Sequence, residues 1–268
     1  MHNRDLARAA SDAPCDLGET RATSRDLGRP RRAACDLDPH EPRTHPGRPS
    51  SPVHATRDAP NIGNMRVFLA GASGVIGRRL IPLLCVAGHD VAGLTRTREN
   101  AALIQELGAS PVVCDVYDAA ALSAAVAGYQ PDVVLHELTD LPDDAAQIEE
   151  YRERHARIRI EGTHNLLAAA RASATARVLA QSVAWPMPPG PAHDSVAELE
   201  RSVLDAGGVV LRYGQFYGEG TYYPATLPTE PRIQIDRAAE DTVAALGEAT
   251  GVLELTDDGT RRIAASSE

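Results

Sequence analysis

Residues 67–70 read Val-Phe-Leu-Ala, an apolar run with no polar position to mark a solvent face, as in a strand buried on both sides. Glycines 71, 74 and 77 follow at three-residue spacing, and residues 75–87 then read as a helix. Pro82 lies inside that helix, removes the donor that would bond the Arg78 carbonyl, and predicts a local kink. The same alternation continues downstream. Strands are predicted at 90–94, 111–114, 132–136, 177–181 and 209–212. Helices are predicted at 99–107, stopped by Gly108; at 119–127, stopped by Gly128; at 144–172, broken near Gly162; and at 195–206. Short strands separated by helices of this length imply right-handed crossovers, an α/β class and a doubly wound parallel sheet.

Residues 1–64 lack this pattern. They are rich in Arg, Asp, Pro and Ala, and Asp-Leu recurs at Asp5, Asp16, Asp26 and Asp36 without a helical or strand period. Such a segment buries too little apolar area to offset chain entropy, so it reads as a disordered extension. Met65 directly precedes the first strand and is a candidate initiator, which makes an over-extended start an equal reading. Residues 65–220 are then expected to form one α/β domain, with residues 221–268 a smaller C-terminal portion.

Composition narrows the partners. A net charge of −10 argues against nucleic acid. No apolar run reaches membrane-spanning length, and the opening residues lack an apolar signal core, so a cytoplasmic protein is expected. Cys15, Cys35, Cys85 and Cys114 show no Cys-x-x-Cys spacing, which favours thiols over disulfides or a metal. All 27 basic residues are arginine, because the chain contains no lysine; any mechanism that requires one is excluded.

A strand running into a glycine turn and a helix N-terminus forms an anion site, with backbone N–H groups and the positive end of the helix dipole facing the ligand. Within residues 71–77 (Gly71, Ala72, Ser73, Gly74, Val75, Ile76, Gly77), Gly71 allows the tight turn, Gly74 lets the backbone approach a pyrophosphate, and Gly77 lets the helix pack on its strand. The context points to a dinucleotide. At the end of the second strand a carboxylate would select NAD and an arginine NADP. Thr95, Arg96 and Arg98 stand there with no acid before Glu99, which favours NADP with NAD as the alternative; a solvated helix start is the plainer reading of the same arginines. Asp115, beside Val116, either accepts from the adenine amino group or begins a turn.

The glycine turn, His136 with Glu137-Leu138-Thr139, residues 162–167 (Gly-Thr-His-Asn-Leu-Leu), Gln181-Ser182 and residues 211–218 (Leu-Arg-Tyr-Gly-Gln-Phe-Tyr-Gly) occur in one order. That order resembles the extended, atypical short-chain dehydrogenase/reductase superfamily, and within it the NAD-dependent epimerase/dehydratase family. The resemblance spans about residues 65–258 and implies a Rossmann-like fold. It also implies that Thr95, Arg96, Asp115 and residues 136–139 line the cofactor, with an unknown small-molecule substrate beyond it. Members pair through helices between the fourth and fifth strands, so a homodimer is an expectation, although residues 149–159 are heavily charged here.

The family's catalytic tyrosine, with lysine four residues later, is missing. The matching region reads His193-Asp194-Ser195-Val196-Ala197-Glu198, and Tyr151 with His155 precedes the fifth strand and reads as a surface pair. Ser182 is the surviving candidate, either orienting a carbonyl or satisfying a strand end; His193 and Asp194 are a weaker proton relay. Tyr222 and Tyr223 stand where the resemblance places a substrate loop. Three readings follow: an NADP(H)-binding oxidoreductase or epimerase-like protein, a non-catalytic NADP(H) sensor or regulator, and a degenerate product.

Overall fold

A computed structural model describes residues 63–175 and 177–264. The extension expected over residues 1–64 falls outside them, apart from its last two residues.

The first strand, β1 (Arg66–Ala70), alternates its side chains between two buried faces. Val67 and Leu69 join a core with Leu80, Ile81 and Leu84 of helix α1 (Gly77–Val86). Phe68 and Ala70 face the other way, into a core with Leu122 and Val126 of helix α3 (Ala119–Tyr129) and Leu166 of helix α5 (Thr163–Ala172). A strand apolar at every position is thus a strand covered by helices on both sides.

Strands β2 (Asp90–Thr95) and β3 (Ser110–Val113), with helix α2 (Arg98–Glu106) between them, extend the sheet on one side of β1. Strands β4 (Val133–His136), β5 (Arg177–Val183) and β6 (Val209–Tyr213) extend it on the other. The eight-stranded order is β3-β2-β1-β4-β5-β6-β9-β10, where β9 is Gly251–Thr256 and β10 is Gly259–Ile263. Every pairing is parallel except the β9–β10 hairpin. The fold is therefore doubly wound and Rossmann-like, as the strand–helix alternation implies. Its strand order reverses between β1 and β4, so the loops after these two strands diverge and leave a crevice at their carboxyl ends.

Several boundaries differ from the pattern reading. Helix α3 runs through Gly128 and ends at Gln130, which takes a left-handed conformation (φ 52°) before Pro131. Running on places Tyr129 against Phe68, with ring centroids 6.2 Å apart, and lets its hydroxyl donate to the Asp90 carbonyl at 2.8 Å. Tertiary packing outweighs the glycine. Helix α6 (Pro191–Asp205) begins four residues before the expected start, because Pro191 is preset for the first helical turn.

The expected helix over 144–172 is divided. A 3₁₀ turn at Ala145–Gln147 is capped by Asp144; helix α4 (Arg152–Arg157) follows, then a π-turn at Ile158–Gly162, then α5. The predicted break near Gly162 is this π-turn. Helix α1 continues through Pro82. Strands β7 (Gln215–Tyr217) and β8 (Arg232–Gln234) form a separate parallel pair, and helix α7 (Ile235–Ala244) then packs on α1.

Candidate functional site

The glycine turn is built by contacts that admit no side chain. Gly71 has φ +94°, and a Cβ there would lie 2.5 Å from the Glu137 carbonyl oxygen. A Cβ on Gly77 would lie 2.2 Å from the Gly71 oxygen. Gly74 is looser, with the same oxygen 3.2 Å from its virtual Cβ; its N–H donates to Gly71 at 2.9 Å and closes the turn. Arg79 anchors the assembly by donating to the Val75 carbonyl (2.9 Å), the Glu219 carbonyl (2.6 Å) and Asp236 Oδ1 (2.6 Å).

Of the residues predicted from sequence, Gly71, Ser73, Gly74, Thr95, Arg96, Val116, Glu137, Leu138 and Thr139 line one solvent-open cleft with about 600 Å³ of empty space. Leu94, Cys114 and Ile158 complete its walls. The other predicted residues stand behind it. Ala72 and Ile76 are buried in the core, Val75 gives its carbonyl to Arg79, and Gly77 seats the helix. Asp115 uses its carboxylate to accept from the Tyr117 N–H at 3.0 Å, so it begins a turn. His136 does not line the cleft: it is buried against α5, with Nε2 2.9 Å from Thr163 Oγ1, and its Nδ1 accepts from the Leu138 N–H. Burial lowers this imidazole to about 4.

Glu137 is 3% exposed, and burial pushes its carboxyl up to about 8. Its Oε1 lies 3.2 Å from the Tyr213 hydroxyl, which lies 2.6 Å from Thr242 Oγ1; Thr242 in turn donates to the Ala238 carbonyl. The Tyr213 hydroxyl donates to Glu137 Oε1, which draws the carboxyl down, but burial outweighs it. Oε2 of Glu137 has no protein partner. Burial thus disfavours a negative charge on Glu137, beside the cleft.

Ser182 does not line the cleft. Its hydroxyl donates to Glu200 Oε1 at 2.5 Å, and Glu200 also holds Arg212 through Nε (2.8 Å) and Nη2 (2.5 Å). Because Glu200 keeps Arg212 when the serine is removed, Ser182→Ala is expected to cost only about 1 kcal/mol in chemical denaturation. His193 and Asp194 are exposed and bond each other at 3.1 Å at the start of α6. Tyr222 donates its hydroxyl to the Pro142 carbonyl, and the Tyr223 N–H donates to Thr221 Oγ1. Tyr151 and His155 are not a surface pair: His155 is buried, and its Nδ1 accepts from the Asp140 N–H at 3.2 Å. Asp140 and Arg154, which meet there beside the cleft, carry no motif that sequence spacing reveals.

Comparison with known proteins agrees with this geometry. The model of the NAD dependent epimerase/dehydratase family matches residues 67–201. The chain is 37% identical over 236 residues to 3-diazoavenalumate denitrifying reductase from Streptomyces sp., covering 72% of this chain and 76% of that protein. In fold it is similar to the UDP-glucose 4-epimerase of Thermus thermophilus, solved with NAD, at a TM-score of 0.60 and 20% identity over 74% of this chain and 79% of that one. The Thermotoga maritima UDP-glucose 4-epimerase, solved with UDP-glucose, gives a TM-score of 0.61 at 15% identity with the same two coverages.

Proposed function

The chain belongs to the NAD dependent epimerase/dehydratase family, and we propose that it is an NADP(H)-binding reductase whose acceptor takes hydride without a proton from the enzyme. The observation that carries this reading is the pairing of a side-chain-free glycine cradle with a chain that has no lysine. The cradle fits a pyrophosphate: Gly71, Ser73 and Gly74 line the cleft where the turn leads into α1. Arg96, exposed at the end of β2, suits a 2′-phosphate. When bound, the nicotinamide supplies hydride. The residues of this chain hold the nucleotide and leave proton transfer out of the reaction.

A diazo acceptor meets that condition, and the Streptomyces relative is named for a diazo compound and for loss of nitrogen. With NADPH held in the cradle, an arenediazonium acceptor would gain hydride at carbon as the C–N electron pair leaves with dinitrogen, a change that balances with NADP+ as the only other product. The expected result is NADPH oxidation matched one-to-one by dinitrogen release with an arenediazonium substrate. Turnover confined to ketones would contradict it. Arg96→Ala is expected to raise the Kd for NADPH by tenfold or more and to leave NADH unchanged, since a charge-assisted bond contributes about 1.5–3 kcal/mol. Calorimetry with both nucleotides reads this directly.

The commitment of Ser182 to Glu200 favours a second reading, a non-catalytic NADP(H) sensor. It predicts tight NADPH binding with no turnover of any acceptor, diazonium compounds included.

A further inference from the structure

Beside the cleft, the carboxylate of Asp140 is nearly covered, while the two guanidinium groups that approach it are half exposed. Asp140 adjoins Thr139, which lines the cleft. Its backbone N–H is held by His155, so the carboxylate has a fixed place. Arg154 engages it in a bidentate pair, Nε to Oδ2 at 3.0 Å and Nη2 to Oδ1 at 2.9 Å, with its guanidinium lying 4.4 Å over the Tyr151 ring. Arg96, from the end of β2, comes no closer than 4.0 Å. Three charged groups from three segments of the chain thus converge, and the carboxylate is shared unequally.

The inequality has a consequence for an anionic ligand. A buried carboxylate without a bidentate partner would draw Arg96 onto itself and repel a phosphate. With Arg154 on Asp140, Arg96 keeps its charge for the ligand. We infer that Arg154 is a specificity-determining residue, occupying Asp140 so that Arg96 remains available to the 2′-phosphate of NADP(H). The inference rests on the NADP(H) reading above. It also predicts how specificity reverses: an unpaired Asp140 captures Arg96, disfavours the phosphate, and leaves an acceptor suited to the 2′-hydroxyl of NAD(H).

The test measures the Kd of NADPH and of NADH by calorimetry on the full chain and three variants. For Arg154→Ala, the NADPH-over-NADH preference is expected to fall tenfold or more, with NADH affinity equal to or better than wild type. Asp140→Asn alone is expected to keep the preference. The double variant Asp140→Asn/Arg154→Ala is expected to recover it to within about threefold of wild type, because the charge that Arg154 neutralises is gone. A purely structural role for Arg154 would lower both affinities together and would not be rescued, which overturns the inference. An unchanged preference in Arg154→Ala also overturns it while the NADP(H) reading stands. Failure of the wild type to bind either nucleotide overturns both.

Discussion

Gly77→Ala is expected to destabilise the protein by about 3 kcal/mol or more, because the added methyl has nowhere to go. It would sit 2.2 Å from the Gly71 oxygen and 2.8 Å from both Cα and O of Ala72. All three are backbone atoms of the turn that starts α1, and Ala72 is itself fully buried. Relief requires α1 to separate from β1, which opens the core of Leu80, Ile81 and Leu84. Gly74→Ala supplies the contrast. Its methyl meets one oxygen at 3.2 Å, so the urea midpoint should remain near that of the wild type while nucleotide binding is lost. Equal midpoints for Gly77→Ala and the wild type would show that the turn is not packed as described.

The second large effect is the pH dependence of stability. The Glu137 carboxyl rises from 4.5 to about 8 on folding, so between those values the folded state keeps a proton that the unfolded state releases. One such proton lowers stability by about 1.4 kcal/mol per pH unit as pH rises. His136 and His155 act with the opposite sign. Burial lowers them from 6.5 to about 4 and about 3, so their stability is fully present above pH 6.5 and is lost as pH falls through the folded values. Two imidazoles outweigh one carboxyl below pH 6.5, and the carboxyl acts alone above it. Stability should therefore peak near pH 6.5 and decline on both sides. Glu137→Gln keeps an acceptor for Tyr213 and has no proton to lose, so its alkaline limb should be flat to pH 8. Urea denaturation across pH 5 to 9 checks this, and superimposable profiles for the two proteins would contradict it.

The sequence showed the parts of the fold that depend on local pattern. An apolar run before three spaced glycines is enough to place β1, the turn and α1, and alternating short strands and helices imply the sheet. Side-chain direction was less legible. Residues 136–139 are expected to line the cleft as a group; Glu137, Leu138 and Thr139 do, while His136 is buried against Thr163 beneath them. A motif match places a residue along the chain but does not say where its side chain is held; His136 is the last residue of β4 and packs into the core, and the loop after it forms the cleft wall. Asp140 and Arg154 are separated by fourteen positions and joined only because the segment after β4 folds back through a 3₁₀ turn into α4. Ser182, Glu200 and Arg212 lie on β5, α6 and β6, so their bonded set exists only once the sheet has formed.

Whether the glycine cleft holds NADP(H) decides the function of the protein. Calorimetric titration of the full chain with NADPH at neutral pH, beside the Gly74→Ala variant, tests this most directly. Saturable one-to-one binding by the wild type, lost in a variant that still unfolds at the wild-type midpoint, is the expected result. No binding by the wild type, or equal binding by the two proteins, would contradict it.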